Sequence, residues 1–224
     1  MRVKICGITN SDDALAAAQA GADFVGLILA ASSRRVDVDA AKAVIAALPT
    51  PVVPVLVFRD APVDKVVTAL DAAGTRWAQL HGAESVAYLT ESQRRRPDVR
   101  VIKTWEVSAN GKIEPSVEAL VGFVRDALDA GVDLPIVLLD APKGGPHPGH
   151  ERMAAHAAAC HALPVQVWCA GGLTPNNVAG ALAGGEFDGV DVASGVEVRP
   201  GVKDRAAIRR FVENARRSAP PPRA

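Results

Sequence analysis

The sequence lacks net charge: 25 lysines and arginines stand against 25 aspartates and glutamates over 224 residues. No global field draws it to nucleic acid or to an anionic membrane, so an anionic ligand must be caught by a local site. Cysteine is scarce, and Cys6, Cys160 and Cys169 are an odd set without the spacing of a disulfide framework, which favours a reducing compartment. No apolar run approaches the ~18 residues of a membrane span, and the amino terminus lacks the charged, apolar and small-residue order of a signal peptide. A cytoplasmic protein is the expectation. A dinucleotide-binding turn is missing too, because Cys6-Gly7-Ile8-Thr9-Asn10 is no G-x-G-x-x-G. His147 and His150 lie in a stretch broken by proline, not at H-x-x-x-H spacing on a helix, and no third ligand accompanies them, so no metal is expected.

What the sequence does have is apolar mass, 49% of residues against 22% charged, enough to bury a sizeable core. Short β-rich runs at 3–6, 24–29, 52–58, 77–81, 99–104, 135–140, 165–170 and 189–193 alternate with alanine-rich stretches of helical spacing. The latter include 12–20, 38–47, 63–73, 116–130 and 203–215, several opened by capping residues. Eight βα units in so short a chain predict an α/β fold, a single (β/α)8 TIM barrel over residues 1–217, with a disordered tail at 218–224 that carries Pro220-Pro221-Pro222. Arg94-Arg95-Arg96 is expected at a solvated helix end.

In such a barrel chemistry sits at the carboxyl ends of the strands. Cys6 ends the first run and Asp140 ends Pro135-Ile136-Val137-Leu138-Leu139, which would make a thiol and a carboxyl an acid/base pair across the mouth. The blander alternatives are a small buried cysteine and an aspartate that caps a turn. Side chains alternate along a strand, so if Cys6 faces the mouth then Lys4 faces the lumen below it. A lysine there needs a partner, and Asp191 on the last strand is the candidate; such a cation would favour the Cys6 thiolate. Ala170-Gly171-Gly172-Leu173-Thr174-Pro175 and Ala193-Ser194-Gly195 follow strands seven and eight, where glycines let backbone N–H groups approach an anion and Thr174-Pro175 suits a helix start. The alternative is that these glycines serve only tight turns. Arg34 or Arg35, after strand two, has the fork to clamp a carboxylate, or a surface role.

These motifs together resemble the phosphoribosylanthranilate isomerase family of tryptophan biosynthesis, nearly end to end. The family's K-I-C-G-I-T stands at Lys4 to Thr9, S-x-R-x-V at Ser32 to Val36 and Q-L-H-G at Gln79 to Gly82. L-L-D stands at Leu138 to Asp140, A-G-G-L-x-P-x-N-V at Ala170 to Val178 and V-D-V-x-S-G-V-E at Val190 to Glu197, followed by Gly201 and Lys203-Asp204. The resemblance implies an aldose-ketose isomerase that converts N-(5-phosphoribosyl)anthranilate to 1-(2-carboxyphenylamino)-1-deoxyribulose 5-phosphate by an Amadori rearrangement without a cofactor. It implies Asp140 as general acid and Cys6 as general base, and Arg34 facing the anthranilate carboxylate, with Arg35 as the fallback. His81 and Asp191 would line the pocket, while Gly171, Gly172, Ser194 and Gly195 would hold the phosphate. The partner is then a phosphorylated small molecule, with no nucleic acid and no membrane, and the protein is expected to be a monomer.

Two departures stand out. After Asp140 the family shows G-G-[ST]-G-[KR] and then F-x-W, whereas here Gly144-Gly145 leads into Pro146-His147-Pro148-Gly149-His150. At the end of strand three Val57-Phe58-Arg59-Asp60 replaces an F-V-N-like run. A changed loop over the pocket bears on substrate and rate more than on fold. Two rival readings follow. One is an isomerase of a related sugar phosphate, notably the histidine-pathway barrel, expected to carry an aspartate at the position of Cys6 and two repeated halves that this sequence lacks. The other is a non-catalytic paralogue that binds a phosphate ligand, for which the pair Cys6 and Asp140 has no use.

Overall fold

Runs of four to seven residues, buried on both faces, form the strands: β1 (Arg2–Cys6), β2 (Phe24–Ile28), β3 (Val53–Phe58), β4 (Trp77–Leu80), β5 (Arg100–Glu106), β6 (Ile136–Asp140), β7 (Gln166–Cys169) and β8 (Gly189–Val192). A strand covered by helices outside and packed side chains inside has no face for water, which is why these segments read as near-continuous apolar runs. In the computed structural model, which describes residues 1–107, 116–141, 150–185 and 187–218, they pair in parallel and close into a barrel in sequence order. The helices are α1 (Ser11–Gln19), α2 (Val38–Ala47), α3 (Val63–Ala73), α4 (Val86–Arg95), α5 (Val117–Asp129), α6 (His150–Cys160), α7 (Val178–Ala183) and α8 (Arg205–Arg217). The expected (β/α)8 barrel is thus observed. The loop of residues 142–149 with His147, the side chain of His150 and the tail residues 219–224 lie outside the described residues.

The core has two compartments. Outside the barrel wall, Ile5, Leu27, Leu56, Leu80 and Leu139 pack against helix residues such as Val44, Leu70, Leu120 and Phe211. Inside, Phe24, Trp77 and Trp168 fill the lumen, with Phe24 edge-on to Trp168 at 4.9 Å and to Trp77 at 5.3 Å between ring centroids. Phe24 and Trp77 each open a strand, so this aromatic plug closes the end opposite the mouth and leaves the carboxyl ends free for a site.

Local caps start the helices where the sequence places them. Asn10 accepts from the Asp13 N–H at 2.8 Å, Asp37 from Ala40, Ser116 from Ala119, and Asp204 from both Ala206 and Ala207. Asn10→Ala is expected to lower stability by about 1 kcal/mol, read as an earlier denaturant midpoint at unchanged slope. Arg94 and Arg95 end α4 and pair with Glu91, the solvated helix end anticipated for this run.

Two boundaries differ from expectation. Thr174-Pro175 is not itself helical: α7 begins at Val178, after a turn in which the Thr174 carbonyl accepts from the Val178 N–H at 3.1 Å and the Asn177 side chain accepts from the Thr174 N–H at 2.7 Å and donates to the Gly172 carbonyl at 2.9 Å. Lys203 is not helical either. It ends an antiparallel hairpin of β9 (Glu197–Arg199) and β10 (Val202–Lys203), and α8 starts after the Asp204 cap.

Candidate active site

At the carboxyl ends of the strands lies a cavity of about 400 Å³. Cys6 reaches it from β1, Asp140 from β6, and Arg34, His81, Asp191, Gly171, Gly172 and Ser194 line it as well. Residues spread over 189 positions of chain therefore meet in one place, as the barrel topology requires of strand-end residues. Gly195 sits behind the rim in a 3-10 turn (Ser194–Val196), packed so tightly on the Leu173 carbonyl that no side chain would fit. Arg35 is absent from the lining; its backbone bridges to Ile28 instead.

Alternation along β1 puts Lys4 two residues below Cys6, and register places Lys4 opposite Asp191 of β8. The ammonium donates to Asp191 Oδ2 at 2.9 Å with Lys4 wholly buried and Asp191 nearly so. Burial alone would lower the lysine's pKa; Asp191 and the Cys6 thiol outweigh it and hold Lys4 above its ordinary value, as a cation. Lys4 does favour the Cys6 thiolate, as expected, but it does not decide the state of the group. Burial pushes the thiol up, and the opposing pull of Lys4 and Lys203 does not overcome it, so the resting group is the neutral thiol. Burial likewise raises Cys160, and it pushes Cys169 up to about 12.

Across the mouth, His81 Nε2 lies 3.5 Å from Asp140 Oδ2 and 3.6 Å from Glu106 Oε1, while the β5–β6 register aligns Glu106 with Asp140. Arg59, the departure at the end of β3, reaches the same cluster with Nη2 3.5 Å from Glu106 Oε1. Gln79, buried on β4, donates to Thr104 Oγ1 at 3.1 Å. Its Oε1 and the Oδ1 of Asp191 are buried acceptors without a partner among the described residues, and both residues line the cavity. After β7, where Gly171 packs on Ala141, Gly171 and Gly172 take φ of +89° and +62° in succession, a left-handed pair that glycine adopts at little cost and that suits backbone N–H groups turned toward an anion.

Sequence reasoning passed over Gln79, Glu106, Glu197 and Lys203. Gln79 and Glu197 stood inside quoted motifs but were read as pattern rather than chemistry. Glu197 accepts two bonds from Arg34, at 2.8 Å from Nε and 2.7 Å from Nη2, across 163 residues of chain. Nothing local in the sequence marks such a pair. Among the described residues no cluster of three or more His, Cys, Asp or Glu is placed to hold a metal ion, and no helix is long and apolar enough to cross a membrane.

Comparison with known proteins gives consistent relatives. A family model described as N-(5'phosphoribosyl)anthranilate (PRA) isomerase matches residues 3–214. The chain is 39% identical over 218 residues to the N-(5'-phosphoribosyl)anthranilate isomerase of Geobacter sp. (strain M21), covering 96% of this chain and 98% of that protein. It is similar in structure to the phosphoribosyl anthranilate isomerase from Thermus thermophilus, with TM-score 0.76, 35% identity and coverage of 96% and 98%. A phosphoribosyl anthranilate isomerase solved in complex with reduced 1-(o-carboxyphenylamino)-1-deoxyribulose 5-phosphate is also similar, with TM-score 0.80, 30% identity and the same coverage.

Proposed function

The chain belongs to the phosphoribosylanthranilate isomerase family and is an aldose-ketose isomerase of tryptophan biosynthesis; from that premise we propose how its residues divide the work. The phosphate of N-(5'-phosphoribosyl)anthranilate rests on the rim at Gly171, Gly172 and Ser194, with Gly195 behind it, and the anthranilate carboxylate on Arg34. These two anchors, one after β7 and β8 and one after β2, hold the ribose at the proton-transfer groups. Asp140 gives a proton to the ring oxygen, the ring opens, and the glycosylamine becomes an open-chain iminium. The iminium lowers the pKa of the Cys6 thiol, whose proton leaves to solvent; the thiolate takes the C2 proton, made acidic by that iminium, and the resulting enolamine gains a proton at C1 as its C2 hydroxyl gives one up and becomes the ketone. Hydrogen moves within one molecule, so atoms and electrons balance without a cofactor.

The observation that carries this reading is the position of Cys6 and Asp140 on one cavity, from β1 and β6. The unpartnered acceptors Gln79 Oε1 and Asp191 Oδ1 support it further, because an opened ribose brings hydroxyl donors that would satisfy both. His81, 3.5 Å from Asp140, orients the acid. Residues 1–217 act as one domain with the tail outside it, as a cytoplasmic monomer on a phosphorylated small molecule. The test is turnover of freshly prepared phosphoribosylanthranilate, followed by fluorescence and by identification of the product aminoketose. A folded protein that binds the reduced product analogue without turning substrate over would overturn the catalytic assignment, and gel filtration at the assay concentration decides the monomer.

A further inference from the structure

Arg34 is a long flexible cation at the mouth of a cavity that also exposes carboxylates, yet it is held in one place. Glu197 takes the fork formed by Nε and Nη2, at 2.8 and 2.7 Å, and leaves the Nη1–Nη2 fork of a lining residue for a second carboxylate. The pair is desolvated, with 4% of the Glu197 side chain and 14% of the Arg34 side chain exposed. Lys203, wholly buried, completes the arrangement by donating to Glu197 Oε1 at 2.9 Å, to the Cys6 carbonyl at 2.6 Å and to the Ala193 carbonyl at 2.9 Å. Burial works to raise the Glu197 carboxyl, but the bonds from Arg34 and Lys203 prevail and keep it below its ordinary range, as an anion.

Charge and packing both point outward from this trio. Arg34, Lys203 and Glu197 carry one net positive charge, and a bound carboxylate brings the sum to zero in a site where an uncompensated charge is expensive. The Arg34 stem passes over Gly7, where a Cβ would lie 2.6 Å from Arg34 Cδ and where φ is +73°. The turn after Cys6 is therefore shaped to let Arg34 through.

The geometry points to Glu197 as a specificity-determining positioning residue, which aims the free fork of Arg34 at the substrate's carboxylate while Lys203 balances its charge and ties the grip to the Cys6 and Ala193 carbonyls. This rests on the reading of Arg34 as the carboxylate contact and adds the residue that makes that contact selective. The experiment compares wild type, Glu197→Gln, Glu197→Asp, Arg34→Met and the double variant Arg34→Met/Glu197→Gln on N-(5-phosphoribosyl)anthranilate and on N-(5-phosphoribosyl)aniline, which lacks the carboxylate. Circular dichroism and denaturant midpoints are taken in parallel.

Glu197→Gln is expected to raise KM for the anthranilate substrate about tenfold, the worth of a charge-assisted hydrogen bond. Its kcat and its kcat/KM for the aniline substrate should hold, and Glu197→Asp, which keeps the charge, should recover part of the loss. In the double variant the discrimination should fall no further than in Arg34→Met alone, because Glu197 acts through Arg34. Equal losses on both substrates would make Glu197 a scaffold residue only and overturn the proposal. If Arg34→Met loses activity selectively on the anthranilate substrate and Glu197→Gln does not, Glu197 fails by itself. If Arg34→Met loses equally on both substrates, the carboxylate contact is misassigned and the inference falls with it. Should Glu197→Gln not fold, Glu197→Asp decides by the same comparison.

Discussion

Cys6→Ser is expected to lower kcat/KM by about two to four orders of magnitude, the contribution of a positioned base, while the protein stays folded. The substitution keeps the size of the side chain and leaves Lys4 paired with Asp191, so no buried charge is orphaned. What it removes is acidity, because a serine hydroxyl ionises far above a thiol and cannot serve as the base at neutral pH. The same variant reports the protonation state of the resting thiol. Burial holds Cys6 above the ordinary thiol range against the pull of Lys4 and Lys203. The thiolate absorbance of wild type minus Cys6→Ser should therefore rise at a pH above the ~8.5 of free cysteine. The sign follows from the ionisation: a raised pKa keeps the group protonated to higher pH, so little thiolate exists at neutrality. The proposed mechanism then requires the cationic iminium to lower that pKa once the ring has opened. A difference spectrum that titrates below free cysteine would mean that Lys4 prevails over burial, and full activity of Cys6→Ser would remove the thiol from the mechanism altogether.

That reversal between Lys4 and burial shows where sequence reasoning ends. The strands are legible because a parallel barrel buries both of their faces, and runs such as Val137-Leu138-Leu139 carry the signal without context. The relation between Lys4 and Cys6 is legible too, since a period of two is local geometry, and the Lys4–Asp191 pair follows from the closing strand. The sign of the thiol's shift is not local. It depends on how far the whole mouth excludes water, a sum over the elements that surround it. Arg34 is legible as a fork for a carboxylate, but its resident partner Glu197 is invisible at 163 residues' distance, as is Lys203 at 197 residues from the Cys6 carbonyl it holds. The boundary at Thr174-Pro175 is a smaller difference: the Thr174 carbonyl accepts from Val178 and the Asn177 side chain from the Thr174 N–H, the bonds of a helix start, but the regular helix begins only at Val178.

Asp140→Asn should cost kcat as much as Cys6→Ser does, about two to four orders of magnitude, yet slow a different step. Asparagine matches aspartate in shape, so the register with Glu106 and the approach of His81 at 3.5 Å have no steric reason to change, and the reduced product analogue should bind nearly as well as to wild type. The amide has no acidic proton for the ring oxygen, which makes ring opening the slow event. Cys6→Ser slows the later removal of the C2 proton. The two variants therefore separate under substrate deuterated at C2. Cys6→Ser should express the primary isotope effect on kcat fully, because breaking that bond limits turnover. Asp140→Asn should suppress it, because the bond breaks after the slow step. A full isotope effect in Asp140→Asn would place Asp140 at the proton abstraction, and its suppression in Cys6→Ser would remove Cys6 from that step; the division of labour would then be inverted. An isotope effect that is alike in both variants would make the two groups parts of one concerted step, with ring opening and C2 deprotonation sharing a transition state across the cavity.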